Sequence, residues 1–370
     1  MDVLFYTYHM KLMIKRLIIS FICAGLIFLS ACTSNNLAVN RKKVFNCLSL
    51  DPMKDYIFYE VAKPNTDYEI WALDVSDDKS TLVSKQLFNV QKSTPPDGNW
   101  LLIDKNSVNF LELEECQIKP VYKFDPKYKT IDANWLNKDL LLINAFDDYP
   151  YSTDLYILNI NTQKAELVSS GKFIQAISTN KPEWIQTDGN TIEAAQWQGS
   201  TKEILKEFTV SISISPGAIE FLPHTDDFIF IGSQKNNDDI MVWKTTIAQD
   251  TPQIVFNPGK DSSLAYHQLS PNGRYLGLVQ EGPDGYFLIF LNLKNNSIDF
   301  KWPYPFTKSN PEFRWSPDSK FIAMPYEGAG SETPFTSSSG IQIMEIKSGK
   351  LKVVLERDVI TWLIGWYSGK

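Results

Sequence analysis

The chain has 370 residues with 36 basic and 43 acidic side chains, so its net charge at pH 7 is −7. This acidic balance, without a basic stripe or a long run of like charge, disfavours nucleic acid and anionic lipid as partners. The length allows one large β domain or two ordinary domains.

The N-terminal residues predict an export signal. Lys11, Lys15 and Arg16 are basic, and an uncharged apolar stretch of 13 residues follows at 17–29. Such a stretch is too short to span a bilayer of about 30 Å comfortably and is typical of a signal peptide. The stretch ends in Leu29, Ser30, Ala31 and Cys32.

These four residues resemble the lipobox of bacterial lipoproteins. The resemblance implies that residues 1–31 are a signal peptide and that residues 32–44 are a polar tether, lipidated at Cys32. Two acyl chains at one Cys give stable membrane attachment. Thr33, in the place where Asp marks inner-membrane retention, implies the outer membrane in a Gram-negative source and otherwise the outer face of the cell membrane. A plain secretory signal and a membrane-anchor helix are the alternatives.

A short sequence motif recurs in the remaining segment, residues 45–370. It consists of an apolar lead-in, a turn containing Pro or Asn, and a second apolar run, as in residues 268–279. A period in the forties is the signature of propeller blades, each made of four strands. The turns are anchored at positions 52, 96, 137, 182, 223, 271 and 317, which lie 41 to 48 residues apart.

The rest of each period predicts two more strands. Apolar and polar residues alternate in residues 155–160 and 341–346, as half-buried strands require, and residues 201–208 fit a fourth strand. We therefore predict an all-β fold, a single propeller of four-stranded blades. Seven blades are favoured, closed by the C-terminal segment 359–370 as an innermost strand, and six or eight remain open. The predicted third strands are residues 68–75, 107–113, 153–160, 239–246, 286–293 and 340–346.

Two segments carry a resemblance to a family. LSPNGRYLGLV at residues 269–279 and WSPDSKFIAM at residues 315–324 resemble the repeat of TolB-like, PD40-type propellers, which are relatives of WD40 repeats. The resemblance implies a non-enzymatic role in protein binding or scaffolding within the cell envelope. A propeller scaffold hosts many roles, so the fold does not settle the function.

In this register the loops between second and third strands emerge on one face. The longest candidates span residues 144–153, 232–239, 280–285 and 326–340. Acids with interspersed aromatic residues favour recognition of a protein or peptide partner. A glycan is the alternative ligand, either bound or acted upon, and plain hydrophilic hairpin tips are the third reading. The predicted rim consists of Asp147, Asp148, Tyr149, Tyr151, Asp238, Asp239, Glu327 and Phe335.

No catalytic residue, cofactor or metal site is predicted, and whether the chain is an enzyme stays open. Cys47 and Cys116 are predicted to be unpaired, because their strands in neighbouring blades lie beyond the Cα separation of about 7 Å that a disulfide spans. His224 and His267 lack Cys partners at zinc-ligand spacing. The Asp pairs at 147–148, 226–227 and 238–239 do not follow the calcium-loop pattern.

Overall fold

A computed structural model describes most of the chain between residues 48 and 368. Strands are the only regular elements in the described ranges, so the predicted all-β class is confirmed. Within these ranges the chain forms no helix of the length and apolarity that crossing a membrane requires. The described residues are 48, 50–51, 53–62, 68–84, 89–90, 101–104, 106–112, 117–147, 153–178, 181, 183–188, 191–198, 201–209, 212–223, 225–234, 240–249, 251–304, 312–326 and 338–368.

The strands follow one another along the chain in groups of four. The first three are β1 (Asp55–Ala62), β2 (Tyr68–Asp74) and β3 (Lys79–Ser84), and the next four are β4 (Asn89–Val90), β5 (Leu101–Asp104), β6 (Ser107–Glu112) and β7 (Gln117–Lys123). Then come β8 (Thr130–Trp135), β9 (Leu140–Phe146), β10 (Thr153–Asn159), β11 (Lys164–Ser170), β12 (Phe173–Ile177), β13 (Glu183–Thr187), β14 (Thr191–Gln198) and β15 (Thr201–Thr209). The last are β16 (Ile212–Phe221), β17 (Asp227–Gln234), β18 (Ile240–Thr246), β19 (Gln253–Phe256), β20 (Ser263–Leu269), β21 (Tyr275–Gly282), β22 (Gly285–Asn292), β23 (Ser297–Pro303), β24 (Arg314–Trp315), β25 (Phe321–Tyr326), β26 (Ser338–Glu345) and β27 (Leu351–Ser368).

The strands form antiparallel sheets whose order follows the chain. Among the described residues, five sheets have four strands each, namely β4–β7, β8–β11, β12–β15, β16–β19 and β20–β23. A further sheet has seven strands in the order β24, β25, β26, β27, β1, β2, β3. The predicted four-stranded repeat is therefore confirmed, and all six predicted third strands agree with observed strands to within two residues at either end.

The strand β27, with 18 residues, belongs to two four-stranded units. Its first part pairs with β26, where Leu351 lies opposite Met344. Its last part pairs with β1, where Tyr367 lies opposite Tyr56. The chain's C-terminal segment thus supplies the first strand of the unit that β1, β2 and β3 complete, as predicted, and this pairing covers the edge of β1. The number of seven blades stays a prediction, which this shared strand supports.

The first strands of neighbouring sheets contact one another and are the innermost strands. Glu220 of β16 accepts a hydrogen bond from the backbone N–H of Leu269 in β20 at 3.2 Å. Trp315 of β24 donates its indole N–H to the carbonyl oxygen of Gln268 in β20 at 3.0 Å. Because neighbouring sheets share this arrangement, their second strands all end on one face of the molecule, which we call the loop face. Phe146, the last residue of β9, and Gly282, the last residue of β21, lie there.

Each described pairing of a third with a fourth strand contains a one-residue bulge. Bulges twist an outer edge and discourage its pairing with another chain. The residue just before the bulge is an exposed aliphatic side chain in five sheets: Leu167, Ile204, Ile254, Ile298 and Val353. The extra residues are Val83, Val121, Val168, Leu205, Val255, Asp299 and Val354.

The repeated turns on the opposite face are closed by serine side chains. Ser270 Oγ accepts a hydrogen bond from the backbone N–H of Tyr275 at 2.9 Å, and Ser316 Oγ accepts one from Phe321 at the same distance. The two turns also touch, because the backbone N–H of Asn272 donates to Ser319 Oγ at 3.2 Å. The motif that carries the family resemblance therefore closes turns and joins neighbouring sheets.

The core lies between adjacent sheets. Phe290 of β22 packs edge-on against Trp315 of the next sheet, with ring centroids 5.5 Å apart. Phe313 and Met324 are fully buried in the same cluster. Gly277 of β21 leaves room for this contact, since a Cβ there would lie 2.6 Å from the Phe313 ring. Burial of these large side chains stabilises each sheet only against its neighbours.

Candidate functional site

A shallow groove of about 590 Å³ opens on the loop face of the sheet β20–β23. One wall is the connection that precedes β20, and the other is the hairpin between β21 and β22. We call it the loop-face groove. Its lining residues are Lys260, Asp261, Ser262, Ser263, Glu281, Gly282 and Pro283.

The hairpin wall is a tight turn. Gly282 pairs with Gly285 across it, so only Pro283 and Asp284 form the loop. Proline presets φ for the second position of a turn, and Gly285 has a positive φ of 106° that L side chains rarely adopt. The sequence Pro-Asp-Gly therefore specifies a short, well-defined edge for the groove.

The opposite wall is held by hydrogen bonds to its backbone. Asn257 Oδ1 accepts from the N–H of Gly259 at 2.8 Å, and Gly259 has a φ of 95°. Gln280 is buried and donates through Nε2 to the carbonyl oxygen of Pro258 at 3.0 Å. A side chain of β21 thus ties this connection to the sheet and fixes the distance between the two walls.

Glu281 is the most constrained polar side chain of the groove. Tyr286 donates its hydroxyl to Glu281 Oε1 at 3.0 Å, and Ser263 donates its hydroxyl to Glu281 Oε2 at 3.3 Å. The hydrogen bond to Glu281 raises the pKa of Tyr286, so this phenol stays protonated and keeps donating. The carboxylate is therefore oriented before any ligand arrives.

Two further charged side chains of the groove are available to a ligand. Lys260 and Asp261 are exposed, and within the described ranges neither side chain forms an ion pair or a hydrogen bond. Asp261 holds a positive φ of 67°. The groove thus offers one fixed carboxylate, one free carboxylate, one ammonium group and two hydroxyls. These groups can form hydrogen bonds and ion pairs with a polar ligand.

A buried charged cluster lies between the innermost strands. It comprises Tyr266 of β20 with Glu312 and Arg314, and we call it the axial cluster. Arg314 donates through Nη1 to the hydroxyl of Tyr266 and, at 2.9 Å, to the carbonyl oxygen of Phe313. Its Nη2 lies 3.3 Å from Glu312 Oε2. Burial raises the pKa of Tyr266 to about 12.

The axial cluster is engaged by the protein itself. Arg314 Nε donates to the carbonyl oxygen of Ile364, and Glu312 Oε1 accepts from the backbone N–H of Leu363. Both bonds end on β27, so the cluster fastens the C-terminal strand. We therefore treat it as a structural brace and the groove as the candidate site.

The predicted rim falls mainly outside the described residues. Asp147 is described and directly follows β9 on the loop face. It stands next to Phe146, whose ring stacks on Phe173 with centroids 6.3 Å apart. The others, Asp148, Tyr149, Tyr151, Asp238, Asp239, Glu327 and Phe335, lie outside the described part of the chain.

The structure also places several other residues that the sequence analysis named. His267 Nε2 lies 3.7 Å from Glu220 Oε1. Asp226 and Asp227 form ion pairs with Lys181 and Lys244, so these acids are not free hairpin tips. Among the described residues, no group of three or more His, Cys, Asp and Glu side chains is placed to hold a metal ion. Cys32, Cys47, Cys116 and His224 lie outside the described ranges.

Sequence reasoning found one wall of the groove and missed the other. The loop at 280–285 was expected on this face, but Glu281 was not singled out. Lys260 and Asp261 belong to a connection between sheets, and the sequence alone gives no reason to place it beside that hairpin. The available signal was the Asn-Pro-Gly run at 257–259, which marks a turn.

Comparison with known proteins reveals similarity of structure only. No family model matches the chain, and no curated protein matches its sequence. A protein from Lactobacillus plantarum has a similar structure, with a TM-score of 0.55 and 10% identity over 85% of this chain and 99% of that chain. At this identity the resemblance shows the fold alone.

Two other solved structures are similar at lower scores. A putative TolB from Agrobacterium tumefaciens has a TM-score of 0.44 and 11% identity, covering 85% of this chain and 93% of that chain. An oligogalacturonate lyase in complex with manganese has a TM-score of 0.43 and 12% identity, covering 83% and 80%. At these scores the two structures carry no argument, and the predicted propeller class rests on the described four-stranded antiparallel sheets.

Proposed function

We propose that this protein is a lipid-anchored propeller of the cell envelope that binds a protein or peptide through its loop face and catalyses no reaction. The loop-face groove is the observation that carries the proposal. Its walls are fixed by a tight turn and by the bond from Gln280 to Pro258. Its charged groups are exposed, and Lys260 and Asp261 form no ion pair within the described ranges, so they are available to a partner.

The shape of the groove favours a chain-like partner over a small ligand. Sites for small molecules are enclosed and bury most of the ligand. This groove is open, and its lining includes Lys260, Asp261 and Glu281. A segment of another protein can lie across such a groove and pair its backbone and side chains with these groups.

The anchor is proposed from the sequence. The motif ending at Cys32 would leave the propeller tethered by the polar segment 33–44, at the outer membrane or the outer face of the cell membrane. The test is the mass of the mature N-terminus after expression in a bacterial host. An acylated Cys32 is expected, whereas a mature chain that begins elsewhere contradicts the anchor without affecting the groove.

Partner binding is tested by affinity capture from solubilised envelopes of the source organism. The variant Lys260→Ala/Glu281→Ala should lose a partner that the wild type retains. The control is Lys294→Ala, at an exposed position on the opposite face of the same sheet, and it should retain the partner. Equal capture by all three proteins contradicts binding through the groove.

A glycan is the second candidate ligand, favoured by the hydroxyl and carboxylate groups around Glu281 and Tyr286. Sugar hydroxyls pair readily with such groups. Binding of the wild type to a polysaccharide array, lost in Glu281→Ala and kept in Lys294→Ala, would establish this alternative in place of a protein partner.

A further inference from the structure

We infer that the segment bound in the loop-face groove is basic and that an arginine side chain of the partner binds the carboxylate of Glu281. This inference rests on the proposed function and names the chemistry of the partner.

The geometry of Glu281 leaves one direction open. Each of its oxygens accepts one hydroxyl hydrogen bond, from Tyr286 to Oε1 and from Ser263 to Oε2. An ionised carboxylate has about four lone-pair sites, so each oxygen keeps the capacity to accept one more bond. Glu281 is exposed, and these remaining sites are available to a ligand.

A guanidinium group matches these free sites better than other donors. Its planar fork presents two parallel N–H groups that pair with both oxygens of one carboxylate. The two hydroxyls already hold the carboxylate in place, so binding a ligand costs little additional side-chain entropy at Glu281. A neutral hydroxyl or amide of a partner would form one weaker bond at the same place.

The surrounding charge supports a basic partner. The groove carries two carboxylates, Asp261 and Glu281, and one ammonium group, Lys260. The whole chain has a net charge of −7, which steers cationic partners toward it. Lys260 has no ion pair within the described ranges and can pair with a backbone carbonyl of the same segment.

The test uses capped pentapeptides and the full mature protein. The probe is acetyl-Gly-Ser-Arg-Ser-Gly-amide, and the matched peptide carries citrulline, which has the shape of arginine but no charge. Binding is followed by NMR of the peptide during titration with protein. We expect saturable binding of the arginine peptide, at a Kd of about 1 mM or below, and weakening by about tenfold when citrulline replaces arginine.

Variants separate a specific contact from bulk charge. Glu281→Gln should weaken the arginine peptide by about tenfold. Asp284→Asn removes one negative charge from the same hairpin but no acceptor of the guanidinium, so it should weaken the arginine peptide by less than Glu281→Gln does. Tyr286→Phe should weaken binding by less than Glu281→Gln does, since the carboxylate remains.

Three results overturn the inference: no saturable binding, equal affinity for the citrulline peptide, or equal effects of Glu281→Gln and Asp284→Asn. None of them bears on whether a partner binds at all, because the envelope capture experiment decides that independently. A captured partner whose contact depends on Glu281 but contains no basic residue at the site would also reject the arginine assignment.

Discussion

Glu312 and Arg314 form hydrogen bonds with the backbone of two consecutive residues of the C-terminal strand. Glu312 Oε1 accepts from the backbone N–H of Leu363 at 3.0 Å, and Arg314 Nε donates to the carbonyl oxygen of Ile364 at 3.2 Å. The side chains of Arg314 and Glu312 also form an ion pair, at 4% and 7% exposure respectively. An ion pair at the start of β24 thus holds the last part of β27, the strand that covers the edge of β1.

The first prediction concerns this ion pair. Arg314→Met leaves the buried Glu312 carboxylate without a counter-charge, which costs roughly 3–5 kcal/mol of unfolding free energy. Arg314→Met/Glu312→Leu removes both charges, and its loss should be smaller than the sum of the single losses. Urea unfolding measures all three. A loss of less than about 1 kcal/mol in Arg314→Met, as for an exposed pair, would contradict the brace.

The second prediction concerns the packing of β27. A Cβ at Gly365 would lie 2.7–2.9 Å from the ring of Tyr367, which packs edge-on against Phe58. Gly365→Ala should therefore destabilise the fold by about 1–3 kcal/mol, as overpacking does. The control is Gly282→Ala, where the nearest atom, Ser262 Oγ, is 3.3 Å away. Thermal unfolding compares the two; equal midpoints would show that Tyr367 is free to move aside.

The third prediction concerns Glu60. Burial, and then repulsion from Glu312, raises the pKa of Glu60 above its ordinary value of 4.5. Ionisation is therefore harder in the folded state, and the fold loses stability as pH rises through the interval above 4.5. Glu60→Gln should be more stable than the wild type at neutral pH and equally stable below pH 4.5. Denaturant unfolding at both pH values checks this, and a less stable variant at neutral pH would refute it.

The fourth prediction concerns Asp299, which holds the bulge position that Val or Leu holds in the other sheets. Hydrogen bonds from Asn292, Tyr275 and Ser297 lower the pKa of Asp299 below its ordinary value of 3.8. Its ionised form thus stabilises the fold above that pH, and this contribution fades as pH falls through the lowered pKa. Asp299→Asn should lose about 1–2 kcal/mol at neutral pH. Unfolding at several pH values should show the difference from wild type shrinking in acid; a constant difference contradicts the assignment.

Much of the fold followed from the sequence because turn chemistry and alternation repeat. Ser270 and Ser316 hold equivalent positions in two turns and accept equivalent hydrogen bonds, so the period can be recognised in the sequence. The bulges were not foreseen. A bulged Val255 and a regularly paired valine look alike in a sequence, and only the strand register distinguishes them.

The site was harder to predict for a physical reason. The sequence predicts hairpin loops at 144–153 and 280–285, and the strand order alone is enough to place both on one face. The groove also needs the connection 257–262, whose position depends on Gln280 reaching Pro258 across the sheet. A side-chain bond between distant segments leaves no local pattern. The role of Glu312 and Arg314 was missed for the same reason.

The most direct test of the central claim, that a partner protein binds the loop face, is photo-crosslinking in cells of the source organism. A benzophenone amino acid replaces Asp284, at the exposed tip of the groove's hairpin, and in a control it replaces Lys294, exposed on the opposite face of the same sheet. We expect a protein adduct at Asp284 that Glu281→Gln diminishes, and none at Lys294. An adduct at Lys294 alone, or no protein adduct at either position, would contradict the account.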